Sequence, residues 1–195
     1  MLNLSDFERM VKEGCVINYS VDKVRQSNLS NFEKSILECI GLPSKVHPCI
    51  YFINENEGGF NGLDKYYELS EEEYAIDDIN RIKEYLRKYI VIGRTSGRAI
   101  CINDKMQIVY IDYDDFEEYY INDSLEQFLE CILCFNEFVK KINNRTDNDI
   151  YYYDHVTRDE VEELKINIES IIKGAIEGYY FWDSEIEFLM EHIED

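Results

Sequence analysis

Three short runs rich in β-branched and aromatic residues follow one another between residues 89 and 113, with only four residues between successive runs. They occupy 89–93, 98–102 and 107–113, joined by Arg94-Thr95-Ser96-Gly97 and Asn103-Asp104-Lys105-Met106. Connections of hairpin length built from turn-forming residues make this an antiparallel meander. A further β-rich run at 49–53 precedes it and ends in the turn-forming stretch 54–62.

Helical signals flank this centre. Ser or Thr followed three residues later by an acid or Gln, the capping-box arrangement, occurs at Ser5/Glu8, Ser30/Glu33, Ser70/Glu73, Ser124/Gln127, Thr157/Glu160 and Ser184/Glu187. The Ser30 helix is expected to run through Phe32, Ile36, Leu37 and Ile40 and to stop at Gly41-Leu42-Pro43. Leu125, Phe128, Leu129, Ile132, Phe135, Val139 and Ile142 recur at helical spacing, and Asn143 to Asn148 ends that helix. Another helix is expected over 158–177, burying Val161, Leu164, Ile168, Ile171, Ile172 and Ala175. Gly178-Tyr179-Tyr180-Phe181-Trp182, with the only tryptophan, then leads to a terminal helix. Helix, strands, then helices is an α+β plan. The expectation is a single domain over 1–195, with 144–195 as a C-terminal helical part packed on it.

Composition bears on partners more than on fold. The 195 residues are 45% apolar and 14% aromatic, too rich for a disordered acidic tail. Forty-one acids against 20 bases give a formal charge of −21. Residues 1–40 hold six acids and five bases, whereas residues 99–138 hold ten acids and one base, Lys105. Such a field repels nucleic acid and anionic membrane and speeds capture of basic partners. No apolar run approaches the roughly 18–20 residues that cross a bilayer. Residues 1–10 lack the basic flank and apolar stretch of a signal peptide, and six cysteines make no disulfide-dense scaffold. The expectation is a cytoplasmic protein with reduced thiols.

Catalytic signatures are missing from the sequence. Gly58-Gly59 and Gly93 to Gly97 match neither the dinucleotide nor the P-loop spacing, and no Ser sits in a nucleophile elbow. His47, His155 and His192 are far apart in sequence. Cys131 and Cys134 have redox spacing but lie mid-helix among apolar residues, where core packing is the expected role. Metal binding would need a second cysteine pair, and Cys15, Cys39, Cys49 and Cys101 stand alone. The run Asp112-Tyr113-Asp114-Asp115-Phe116-Glu117-Glu118 lacks the Gly and terminal Glu of a calcium loop. Taken singly, each acid reads as a solvated strand end. As a group, acids interleaved with Tyr110, Tyr113, Phe116, Tyr119 and Tyr120 read as a binding surface for a basic partner. No cofactor and no metal is expected.

These features resemble one family pattern. Gly41-Leu42-Pro43 after an N-terminal helix, then Tyr89 to Gly93, Ala99 to Asn103 and Val109 to Asp112, resemble in order the core motifs of the SUKH superfamily of bacterial toxin-immunity proteins. The segment from Tyr120 to Leu129 and the late Phe181-Trp182 are similar to its fourth subfamily. The resemblance covers roughly 36–190. It departs at Asn103, where an acid is common, and fits loosely at 58–62. It implies an α+β fold with a curved central antiparallel sheet of about five or six strands and flanking N- and C-terminal helices. It also implies an antitoxin of a polymorphic toxin system, binding a nuclease or deaminase toxin and performing no catalysis.

The expected partner-binding residues are Asp112, Tyr113, Asp114, Asp115, Phe116, Glu117, Glu118 and Tyr120, with Glu55 and Glu57 on a neighbouring acidic loop. Gly93, Leu42, Pro43 and Trp182 are expected to be scaffold. Two other classes stand beside this one. The first is a general interaction or scaffold module of the same fold with no toxin partner. The second is a hydrolase using clustered carboxylates, which needs one carboxyl of raised pKa in a closed pocket.

Overall fold

The computed structural model describes residues 2–70, 74–146, 152–178 and 180–193. Its first helix, α1 (Leu4–Lys12), is capped by Asn3, whose side chain accepts the N–H groups of Ser5 and Asp6. Ser5 therefore lies inside the first turn and does not cap it, because the helix already begins at Leu4 behind Asn3. After β1 (Val16–Ile17) and α2 (Val21–Gln26), α3 (Asn31–Cys39) starts on a complete Ser30/Glu33 capping box. It ends where Ile40 and Gly41 both donate to the Ile36 carbonyl at 2.9 Å. Leu42–Pro43 forms β2, paired with β1, so the Gly-Leu-Pro segment ties the N-terminal helices together.

The main sheet is a six-stranded antiparallel meander in chain order, and the α+β plan holds. Its strands are β3 (Lys45–Val46), β4 (Ile50–Phe52), β5 (Ile90–Thr95), β6 (Arg98–Ile102), β7 (Ile108–Ile111) and β8 (Glu118–Asn122). The β5–β6 hairpin is tighter than four residues: only Ser96 and Gly97 lie between the strands, with φ of 44° and 85°. Positive φ at both positions is what a two-residue hairpin turn requires. Gly93 is needed for another reason. A Cβ there would lie 2.8 Å from the Tyr51 carbonyl oxygen, so only a bare Cα lets β4 pair so closely. β3 and β8, the two edges, are strands beyond those read from the sequence. At the β3 edge Asn136 exchanges two hydrogen bonds with the backbone of His47, at 3.3 and 3.4 Å, and covers that edge.

Both faces of the sheet are buried. Ile92, Ile100, Ile102, Ile108, Tyr110 and Ile121 face the main core with α6 (Leu125–Arg145), whose apolar stripe is buried as its spacing predicts. Each aliphatic side chain so removed from water contributes about 1.5–3 kcal/mol. The α6 N-terminus is stabilised from a distance. Glu33, only 4% exposed, accepts the Leu125 and Glu126 N–H groups at 2.9 and 3.3 Å while still holding its own helix cap. Ser124 also caps α6 through the Gln127 N–H, but the Gln127 side chain turns to Asp123 and Asn122 instead of completing the box.

On the opposite face, Val91, Ala99, Cys101, Val109 and Ile111 pack under α4 (Leu63–Tyr66) and α5 (Ile76–Leu86). α7 (Arg158–Ile172) starts on the Thr157/Glu160 box and ends at Ile172 because Lys173 takes the left-handed conformation, φ 57°. α8 (Tyr180–Glu191) follows and includes Trp182, so Ser184 lies inside a helix already begun. The Ser70/Glu73 box lies outside the described residues. Among the described residues no helix is long and apolar enough to cross a membrane, and the six cysteines are free.

Candidate partner-binding face

The turn from β7 to β8 is made of the acidic run, and two of its acids hold it together. The Asp112 side chain accepts the Asp114 N–H at 3.0 Å and the Arg98 Nε–H at 2.9 Å. The Asp114 amide, then Arg98, hold the Asp112 carboxyl below its ordinary range. The Asp115 side chain accepts the Glu117 N–H at 2.8 Å, and the Phe116 N–H closes the turn on the Asp112 carbonyl at 3.1 Å. Asp114 and Glu117 are left on the exposed rim.

The aromatic residues of the run are anchors directed inward. Tyr113 packs edge-on against Tyr67 at 5.0 Å, and Phe116 lies 6.3 Å from Tyr67 and 6.2 Å from Tyr74. Tyr67 in turn donates its hydroxyl to the Ile111 carbonyl at 2.8 Å, fixing the turn to the sheet end. Tyr113 and Phe116 remain half-buried. Tyr120 bonds Asp123 through its hydroxyl, and Tyr119 stacks on Tyr110 at 4.8 Å.

Between this turn and α5 lies a cleft of about 570 Å³, lined by Arg81, Ile82, Tyr85, Asp115, Phe116, Glu117 and Glu118. Arg81, Ile82 and Tyr85 were not foreseen. They stand more than 25 residues before the acidic run, on α5, for which the sequence offers only the Ser70/Glu73 start signal. Glu118 is the fixed point of the cleft. The Tyr89 hydroxyl meets Oε2 at 2.6 Å, and the Asn103 amide donates to Oε1 at 3.2 Å. Tyr89 is fully buried and its hydroxyl also bonds that of Tyr85, at 2.9 Å. Burial, then the Glu118 carboxylate, push the Tyr89 phenol far above its ordinary range, so it stays protonated and able to donate. Lys88 sits over both tyrosine rings, 4.4 Å from Tyr85 and 4.8 Å from Tyr89.

Glu55 and Glu57 are not part of this face. They sit on a 3-10 turn after β4, and three strands separate β4 from β8 in the sheet. Glu55 pairs with Lys23 at 2.9 Å and accepts the Ser20 N–H; Lys23, then Ser20, lower its carboxyl. Glu57 closes a capping box on Asn54. Both acids are engaged in holding the loop to α2 and to itself.

The remaining candidate groups do not converge. His47 is half-buried against Tyr152, and burial lowers its pKa, while His192 packs on Phe188 and His155 accepts a bond from Arg145 through its carbonyl. Burial pushes the Cys134 thiol up to about 11 and Cys131 higher still, the opposite of a reactive redox pair. Among the described residues no group of three or more His, Cys, Asp or Glu is arranged to hold a metal.

Fold and site together define an α+β protein with an acidic, aromatic-walled cleft at one end of a six-stranded antiparallel sheet. No family model, curated protein or solved structure matches this chain.

Proposed function

We propose that this chain is an immunity protein. It binds a cognate toxin domain in the cytoplasm, one to one, and blocks the toxin's site or its approach to nucleic acid. It acts by binding, without catalysis or cofactor. The observation that carries the reading is the cleft between α5 and the β7–β8 turn, where Asp115, Glu117 and Glu118 surround Phe116, Tyr85 and Ile82. Carboxylates ringing aromatic anchors fit a basic protein surface, and a domain acting on nucleic acid presents such a surface. The net charge of −21 extends that preference over long range. The resemblance to SUKH proteins supplies the toxin as the partner class.

The test is capture of the partner from the protein's own source at moderate salt, followed by association kinetics on the retained protein. A single basic protein at one-to-one stoichiometry is expected, together with rescue of cells that express it. Asp114→Lys with Glu117→Lys is the charge reversal of choice, since neither side chain holds a backbone amide of the turn as Asp112 and Asp115 do. It should slow association about tenfold at low salt and flatten the salt dependence. Unchanged kinetics would remove the turn from the interface. An assortment of abundant basic proteins, lost equally as salt rises, would overturn the immunity reading. One tight partner that is not toxic would favour a general interaction module instead.

A further inference from the structure

We propose that the cleft selects an arginine, rather than a lysine, on the partner's surface. The inference rests on the docking reading above and names the side chain that is read. Glu118 carries the discrimination. Each of its oxygens takes one internal bond, from Tyr89 on Oε2 and from Asn103 on Oε1, which fixes the plane of the carboxylate. A carboxylate oxygen has two acceptor positions, so one position remains on each oxygen. Two parallel acceptors in a fixed plane match the fork of a guanidinium, whereas an ammonium is a point charge that gains little from the pair.

The walls favour the same ligand. Phe116, Tyr85 and Ile82 line the cleft, so aromatic and aliphatic surface is there for a planar cation and its stem. The chain's own Lys88, seated over Tyr85 and Tyr89 at 4.4 and 4.8 Å, shows that a cation rests on this aromatic group. Arg81, the cation among the lining residues, is bonded to Asp78 at 2.8 Å with its side chain 80% exposed. Asp115 and Glu117 add field at the rim, which acts on any cation, whereas the geometry of Glu118 distinguishes between cations.

The experiment titrates the isotope-labelled full chain with a capped pentapeptide of two arginines among glycines, and with its lysine twin, following amide shifts at low salt. The arginine peptide should bind about tenfold more tightly, with its largest shifts at Tyr85, Phe116 and Glu118. Glu118→Gln should bring the ratio of the two affinities near one. Tyr89→Phe leaves every charge in place but removes one of the two bonds that fix the carboxylate, and should lower the same ratio. Equal binding of both peptides at the cleft in the unaltered chain would overturn the arginine inference and leave the docking reading standing. Shifts of both peptides confined to other surfaces would overturn the two together. A tenfold preference that survives both substitutions would overturn the role given to Glu118.

Discussion

Glu185 shows how much one side chain's surroundings matter in so acidic a chain. It lies in α8, and burial alone pushes its carboxyl from 4.5 up to about 7. A carboxyl whose pKa is raised by folding holds its proton more tightly in the native state. The native advantage is complete below the unfolded value of 4.5 and is lost as pH rises through about 7. The unaltered protein should therefore match Glu185→Gln near pH 4 and become less stable than it near pH 8, by no more than about 3 kcal/mol. Urea unfolding of both proteins across that range measures the difference. A constant gap at all pH values would mean the carboxyl titrates normally. The acids of the β7–β8 turn divide in a similar way. Sequence ranks Asp112, Asp114, Asp115 and Glu117 alike, but the Asp112 and Asp115 side chains hold backbone amides of the turn, whereas Glu117 accepts only the Tyr119 hydroxyl at 3.3 Å and Asp114 lies exposed beside it. That division depends on which amide each carboxylate meets, and spacing carries no trace of it.

Among the elements, the contact between β8, α6 and α8 is pinned by Asn122. It is wholly buried, accepts the Trp182 indole N–H at 2.9 Å, and donates to Gln127 Oε1 at 3.2 Å and Cys131 Sγ at 3.7 Å. Asn122→Ala leaves the indole donor unpaired in the core, a loss of about 1–3 kcal/mol. Trp182 is the only tryptophan, so its fluorescence reports this joint directly. The variant should unfold at lower urea with altered native emission and unchanged far-ultraviolet dichroism. Native emission identical to the unaltered protein would show that α8 docks without the bond. How far the elements were legible follows from their burial. α6 declares itself by a single apolar stripe, and β5, β6 and β7 by composition and short joins. β6 and β7 are apolar on both faces, so alternation could not say which face meets α6 and which meets α5. β8 starts on exposed Glu118 and half-buried Tyr119 and Tyr120, and this acidic, partly exposed start hid it as a strand. α5 has Ile79, Ile82 and Leu86 at helical spacing, yet Ala75 caps it without a side-chain bond, and the Ser70/Glu73 start signal lies several residues before it. Without the bounds of α5, one wall of the cleft is not legible in the sequence.

At the scale of the whole molecule, salt acts on two opposed sets of charges. Local pairs such as Lys12–Glu8, Arg81–Asp78 and Lys141–Glu163 join side chains that are about half exposed or more, and each is worth about 0–1 kcal/mol. The excess of 41 acids over 20 bases acts over the whole surface, and its self-repulsion works against the compact state. Screening weakens both sets. With the surplus of acids taken to outweigh these small attractions, raising sodium chloride from about 20 mM, where the Debye length is near 20 Å, to about 300 mM should raise the melting temperature. The same screening removes long-range steering toward a basic partner, so association over that range should slow. One variable thus moves two observables in opposite directions. A melting temperature that falls with salt would mean the paired charges outweigh the surplus. Association that holds constant while melting rises would mean that the acidic field shapes the fold's stability and takes no part in finding the partner.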